Sequence, residues 1–133
     1  MIDLAEALLD NTHVTTVWLC NCHVDTLGGQ MFGEVLKVNA TLTELNLETN
    51  FLGPKGMVAL ARGLKENSTL TTLRLENQST PMGNKAERLF VKAARASKAI
   101  TKLAADFHEQ SSKNSVVSAL SRNIDRARKR RRQ

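Results

Sequence analysis

Apolar and polar residues alternate in a short stretch near the middle of the chain. Between Thr41 and Asn50 the apolar positions are Leu42, Leu45 and Leu47, and polar residues separate them. Such alternation is typical of a β-strand with one buried face. The asparagine that follows can bond backbone groups that have no partner in a sheet, because its side chain both donates and accepts hydrogen bonds. The stretch therefore predicts a strand that ends in a tight bend.

The same spacing recurs along the chain. Copies lie 28 residues to either side, and a weaker fourth copy follows after a further step of 30. In chain order the copies are Val14, Val17 and Leu19; Leu42, Leu45 and Leu47; Leu70, Leu73 and Leu75; and Ile100, Leu103 and Ala105. A segment with helical spacing, about 12 residues long, follows each of the first three copies. One strand and one helix per period near 28 indicate leucine-rich repeats of the long, ribonuclease-inhibitor-like variety.

The repeats predict an α/β leucine-rich repeat solenoid, with a short parallel sheet, outer helices and a C-terminal capping helix. Predicted strands cover about 14–19, 42–47, 70–75 and 100–105, and predicted helices cover about 2–9, 27–38, 53–66, 84–96 and 112–130. Residues 1–111 would form the solenoid, and residues 112–133 an amphipathic capping helix of the same domain with a basic tip.

Two features locate the helix ends and the cap. Asparagine recurs where the first three helices end, at Asn11, Asn39 and Asn67, and we expect it to adopt the left-handed conformation there. The last helix has an apolar side that should cover the end of the core, because the final repeat has no neighbour. That side consists of Val116, Val117, Leu120, Ile124 and Ala127.

Composition limits the class of protein. The chain has 133 residues, of which 41% are apolar, enough for one folded domain, and it has no apolar run long enough for a membrane span. No secretory signal is visible, since Met1 falls inside a repeat helix, and we interpret the chain as a fragment. Cys20 and Cys22 form no disulfide framework, so a reducing compartment is expected.

The net charge of +6 is concentrated at one end. The last eight positions contain six basic residues, whereas the other 125 residues carry 13 basic and 13 acidic groups. A basic tip of this kind can meet an acidic protein, bind nucleic acid, act as a nuclear import signal, or simply be a solvated helix end.

The sequence contains little that indicates a catalytic site or a metal site. Cys20, Cys22, His13 and His23 lie close in sequence, but a structural zinc site needs four ligands in a closed arrangement and no second pair exists. There is no phosphate-binding glycine loop and no nucleophilic serine motif. We therefore predict a binding protein rather than an enzyme, without a metal or other cofactor.

Two surfaces are candidates for binding. Outward residues of successive strands form rows on the concave face, one of them Trp18, Asn46, Arg74 and Ala104 and another Cys20, Glu48, Glu76 and Asp106. Such a face is the usual partner surface of solenoids, although it can equally be a solvated sheet face. The strand-to-helix loops around 50–55 and 77–82 are the other candidate, since loops on a rigid scaffold often carry binding.

The residues that fill the repeats resemble the carboxyl-terminal leucine-rich domain of the tropomodulin/leiomodin family. The resemblance covers nearly the whole chain and is carried by residues 4–8, 11–14, 42–51, 73–78 and 123–131. Asn50-Phe51 and Glu76-Asn77-Gln78 are its more specific parts, because generic repeats do not require them. Residues 104–109 depart from the family, which usually has a glycine and an extra aromatic residue there. Residues 111–113 stand where the family usually has a turn with Gly-Pro and a basic residue. A contact that the family makes through that turn is therefore not carried over.

The resemblance implies an actin-binding domain of a filament pointed-end capping protein, which blocks monomer addition and loss independently of tropomyosin. Tropomyosin would be bound through an amino-terminal half absent here. The resemblance also implies a cytoplasmic, cytoskeletal protein without a membrane or nucleic-acid partner. Leiomodins add a nucleating extension after this domain, so the end at a basic tip favours tropomodulin, although a leiomodin cut at this point would end in the same way.

On that reading, a set of loop and helix residues is predicted to contact actin. The set is Phe51, Pro54, Lys55, Gln78, Ser79, Arg126, Arg128 and Lys129. Because the basic members would meet an acidic surface, binding should weaken with salt. The alternative is a leucine-rich repeat adaptor that holds a protein ligand on its concave face around Trp18, Asn46 and Arg74. A regulator of small GTPases is a weaker third hypothesis, since it would need a catalytic arginine in sequence absent here.

Overall fold

The four predicted repeats form one continuous solenoid in the computed structural model, which describes residues 2–132. The helices are α1 Ile2–Leu8, α2 Thr26–Val38, α3 Gly53–Glu66, α4 Gly83–Ala96 and α5 Gln110–Arg132, and the strands are β1 Thr16–Trp18, β2 Glu44–Asn46, β3 Thr72–Arg74 and β4 Lys102–Ala104. The strands form one parallel sheet in chain order. The predicted fold class is confirmed. Met1 and Gln133, which the predictions included, lie outside the described residues.

The strand register follows from the spacing of the repeats. Leu45 pairs with Val17 on one side and with Leu73 on the other, and Leu73 pairs with Leu103. All four side chains are buried, and so are the leucines that flank β2 and β3. Only the middle three residues of each predicted strand are paired, so the strands are shorter than predicted. Stacking the repeats thus joins their separate apolar faces into one core.

The asparagines at the helix ends act through their side chains rather than through a left-handed backbone. Asn67 has φ −92° and ψ 138°, and Asn39 has φ −79° and ψ 126°, so the predicted left-handed conformation is wrong at both positions. The Asn67 Oδ1 accepts the N–H groups of Thr69 and Leu70 at 2.9 and 2.6 Å. Its Nδ2 donates to the preceding repeat, to the carbonyls of Leu36 and Asn39. One buried amide therefore satisfies backbone groups of two repeats.

Helix α5 covers the open end of the core largely along the predicted stripe, since Val116 is buried and Leu120, Ile124 and Ala127 are half-buried. Val116 and Ala119 are buried, whereas Val117 is 60% exposed, so the prediction for Val117 is wrong. Residues three apart share a face of a helix, while a neighbour is turned by about 100°. The small side chain of Ala119 lets the helix approach the core more closely than a valine there would.

Polar contacts tie the middle and the start of α5 to the last repeat. In the middle of the helix, the buried Asn123 donates from Nδ2 to the carbonyls of Ser97 and Ile100 at 2.9 and 2.8 Å, as the asparagine of a further repeat would. Near its start, the buried Glu87 of α4 accepts the N–H groups of His108 and Glu109 at 3.1 and 2.7 Å. The cap is therefore held at both edges of the solenoid.

Candidate partner-binding surfaces

The strand-to-helix connections form one edge of the molecule, because the strands of the sheet are parallel. These connections are residues 19–25, 47–52, 75–82 and 105–109, and we refer to them as the loop edge. Asn50, only 2% exposed, is its central support. Its Oδ1 accepts the N–H groups of Cys22 and Val24. Its Nδ2 donates to backbone carbonyls within 3.0 Å, those of Leu19, Leu47 and Glu48.

Gln78 takes the place of Asn50 in the following repeat. Its Nε2 donates to the carbonyls of Leu47 and Leu75 at 2.9 and 3.2 Å, and its Oε1 accepts the N–H of Leu52 at 3.2 Å. The whole amide is thus used in holding two loops together. Of the predicted contact residues, Gln78 is the one that the structure places in the scaffold of the loop edge.

A left-handed residue recurs in the first three loops, at Asn21, Thr49 and Asn77, with φ of 51°, 57° and 60°. The N–H of each bonds the next repeat, at Glu48 O, Glu76 O and the Asp106 carboxylate respectively. Asparagine tolerates this conformation, but a β-branched residue such as Thr49 is strained by it, typically by about 1–3 kcal/mol. At Thr49 the bend is therefore imposed by stacking of the repeats rather than by local preference.

An exposed aromatic pair stands on the loop edge. Phe51 is 49% exposed, and its ring stacks on His23 with centroids 5.8 Å apart and an angle of 4° between the rings. Pro54 and Lys55 follow in the first turn of α3 and are exposed, as is Ser79 in the third loop. The structure brings these predicted residues to one edge. His23 was missed as a site residue, because its pairing with Phe51 depends on the stacking of two repeats.

A cavity of about 330 Å³ opens between the third and fourth loops. Apolar side chains such as Leu75 and Phe107 line it together with Ser79 and His108. The third loop is two residues longer than the second and supplies part of the cavity wall. No pattern in the sequence pointed to His108, because its place depends on how α5 packs.

The basic tip lies at the other edge of the solenoid. Arg126, Arg128 and Lys129 are exposed on the last turns of α5. The helix begins at the loop edge, and at Asn123 it has reached the turns that precede β4. Arg128 lies about 27 Å from Gln110 along the helix axis, from the helical rise per residue. The loop residues and the basic residues therefore form two separate surfaces.

The concave face is less open than its sequence rows indicate. Trp18 is 65% exposed, but Asn46, expected to face solvent, is only 4% exposed, and this part of the expectation is wrong. Asn46 is enclosed between the rows of its neighbours and bonds Glu48 through both amide atoms. Arg74 lies 3.5 Å from Glu48 and 3.3 Å from Glu76, so its charge is neutralised by two carboxylates. Trp18 is a large exposed aromatic residue on this face.

Within residues 2–132 no three His, Cys, Asp or Glu side chains are grouped as metal ligands. Cys20 and Cys22 are free and exposed. Over the same range, no helix combines the length and the apolar character needed to cross a membrane. What the structure offers is three surfaces suited to a macromolecular partner: the loop edge, the concave face and the basic tip.

The fold defines a leucine-rich repeat protein, and its exposed surfaces are suited to a macromolecular partner. The family described as TMOD/LMOD Leucine-rich domain matches residues 1–126, and the chain belongs to this tropomodulin/leiomodin family.

Curated relatives of the chain include leiomodins. Human Leiomodin-2 is 40% identical over 127 residues, which make up 96% of this chain and 23% of the relative. Human Leiomodin-1 is 35% identical over 131 residues, or 98% of this chain and 22% of the relative. The chain thus spans less than a quarter of the length of these relatives. The basic end was predicted to favour tropomodulin over leiomodin. These matches do not support that preference.

Two solved structures share the fold. One is titled Leiomodin-1 Actin-Binding Site 2 and superposes with a TM-score of 0.91 at 35% identity, covering 98% of this chain and 75% of that chain. The other is a tropomodulin C-terminal domain from Caenorhabditis elegans, with a TM-score of 0.91 at 25% identity, covering 98% of this chain and 78% of that chain.

Proposed function

We propose that this chain is an actin-binding domain. The observation that carries the proposal is the match to the structure titled Leiomodin-1 Actin-Binding Site 2, at 35% identity across 98% of this chain. The exposed loop edge supports it, since Phe51 offers an aromatic anchor beside the cation Lys55. A rigid scaffold with exposed loops suits recognition of a large, flat partner.

The finer proposal is that the domain caps the pointed end of the actin filament. It would block monomer addition and loss there without needing tropomyosin, which would be bound by an amino-terminal region outside this chain. The protein would act in the cytoplasm as part of the cytoskeleton, by binding and not by catalysis. These features come from the family resemblance.

We propose two contact surfaces rather than one, because the predicted residues lie at two edges of the solenoid. The loop edge supplies Phe51, Pro54, Lys55 and Ser79, and the basic tip supplies Arg126, Arg128 and Lys129. Arg128 lies about 27 Å along α5 from the start of that helix at the loop edge. A rigid domain with two such surfaces is suited to touch more than one subunit at a filament end. Binding through the exposed cations of the tip should weaken as salt screens them.

Charge reversal at each surface tests this arrangement. Lys55→Glu and Arg128→Glu, alone and together, would be compared by co-sedimentation with actin filaments and by fluorescence titration with actin monomers. If both surfaces contribute, the two losses of binding free energy should add, because the sites are far apart. Lys92→Glu on the outer face of α4 is the matched control. Intact binding of the double variant would contradict the site assignment.

The exposure of Trp18 favours one rival function, an adaptor that binds a protein ligand on the concave face. A large exposed aromatic residue is a typical interface anchor. Trp18→Ala separates the two proposals, because it should abolish binding to the concave face and leave actin binding unchanged.

A further inference from the structure

A basic groove runs between the outer faces of α3 and α4. It encloses about 410 Å³, and its rim carries three exposed cations, Lys55 and Arg62 from α3 and Lys85 from α4. Apolar side chains, among them Val58, Ala59 and Met82, form its floor, and Gln30 and Asn84 add polar groups to the lining. Among the described residues that line the groove there is no carboxylate.

The two helices that flank α3 pack against it differently. Between α2 and α3, glycines allow backbone to touch backbone: a Cβ added at Gly33 would lie 2.5 Å from the Ala59 carbonyl oxygen, and one at Gly63 would lie 2.4 Å from the Gly33 oxygen. One period of 30 residues further on, α4 has Ala93 in place of Gly63. A methyl group there does not allow the same backbone contact between α4 and α3.

The charges along the groove are unbalanced. Within residues 2–132, none of Lys55, Arg62 and Lys85 takes part in an ion pair, although pairs form elsewhere, as between Lys37 and Glu34 at 3.2 Å. An apolar floor below unpaired cations complements a ligand that combines carboxylates with apolar side chains. A free inorganic anion would leave the floor uncovered.

We infer that the groove binds an acidic amphipathic helix of a partner protein. Lys55 and Arg62 are seven residues apart on one helix, about 10.5 Å along its axis. Carboxylates at positions i and i+7 of a helix lying along the groove have the same spacing, and the residues between them would place an apolar stripe on Val58 and Met82. Lys85 faces the same ligand from the opposite wall.

The test uses a probe of defined chemistry. A fluorescein-labelled helical peptide of about 14 residues, with glutamates at i and i+7 and leucines between them, is titrated with the whole chain and followed by anisotropy. The variant Arg62→Glu/Lys85→Glu changes two exposed groove cations and leaves Lys55, a candidate actin contact, in place. Lys98→Glu/Lys102→Glu makes the same change of net charge outside the groove. Phosphatidylserine vesicles form a second arm.

The expected result is saturable binding of the peptide that the groove variant weakens at least about tenfold and the control variant leaves within about twofold. A peptide in which lysines replace the glutamates should not bind. Equal weakening by both variants would mean that only net charge matters, and it would overturn the inference, as would absence of peptide binding or binding to vesicles alone. Actin co-sedimentation of the groove variant should stay unchanged, so failure here leaves the proposed function standing.

Discussion

Replacement of Asn50 by alanine tests how the loop edge is held. The residue is 2% exposed, and its amide makes five hydrogen bonds to the backbone of two repeats. Two of the five groups keep another partner in the variant. The Leu47 carbonyl still receives the Gln78 amide at 2.9 Å, and the Glu48 carbonyl still receives the N–H of Asn21 at 3.1 Å.

Three backbone groups lose their only observed partner. The N–H of Val24 is buried, and an unsatisfied buried group of this kind costs about 1–3 kcal/mol. The Cys22 N–H and the Leu19 carbonyl lie nearer the surface, where water can replace part of the loss, at about 1 kcal/mol each. The sum predicts that Asn50→Ala lowers the free energy of unfolding by about 3–5 kcal/mol.

Urea denaturation followed by far-ultraviolet circular dichroism measures the change. Trp18 is too exposed to be a good reporter of unfolding. Asn84→Ala is the control, since this exposed amide lies on α4 and makes no observed hydrogen bond; its effect should stay within about 0.5 kcal/mol. A loss below about 1 kcal/mol for Asn50→Ala would refute the view that this one amide supports both loops.

Substitutions at three further positions test other parts of the fold, each by the same denaturation experiment. Thr49→Asn should stabilise by about 0.5–1 kcal/mol, since asparagine tolerates positive φ, and destabilisation would show that Thr49 is not strained. Glu87→Ala should cost about 1–3 kcal/mol and Glu87→Gln less, because two N–H groups at the start of α5 lose a carboxylate acceptor; equal losses would contradict this reason. Gly33→Ala should destabilise by about 1–3 kcal/mol through its clash with Ala59, despite a better helix propensity, and a gain in stability would refute close packing of α2 on α3.

Features that depend on the repeat spacing could be predicted from the sequence. A constant step places Leu45 beside Leu73, and each strand must then end in a bend with a bonding amide at Asn50 and Gln78. The start of α3 at Gly53 was also predictable, since Pro54 fits the first turn of a helix.

Features that depend on contacts between repeats could not be predicted from the sequence. Whether Val117 or Ala119 faces the core depends on how closely α5 approaches it, which small residues alone do not specify. Asn46 is buried by its neighbours in the adjacent strands, and His23 meets Phe51 only after two repeats have stacked. No periodicity in one repeat contains this information.

The distance between the candidate contact residues could not be predicted from the sequence either. Lys55 and Arg128 were predicted to act together at the filament end, but the sequence contains no measure of where the last helix points. Because α5 crosses the end of the solenoid from the loop edge to the opposite edge, the two cations belong to different surfaces. The predicted contact residues thus form two separate surfaces.

The proposed function is that the chain caps actin filaments at the pointed end through these two surfaces. The most direct measurement is the elongation rate of actin from seeds blocked at their other end, with and without the chain, at two salt concentrations. Slowing that fades as salt rises, and that Arg128→Glu reduces, is the predicted result. Unchanged elongation, together with no co-sedimentation on filaments, would contradict the claim and leave the family relationship as one of fold only.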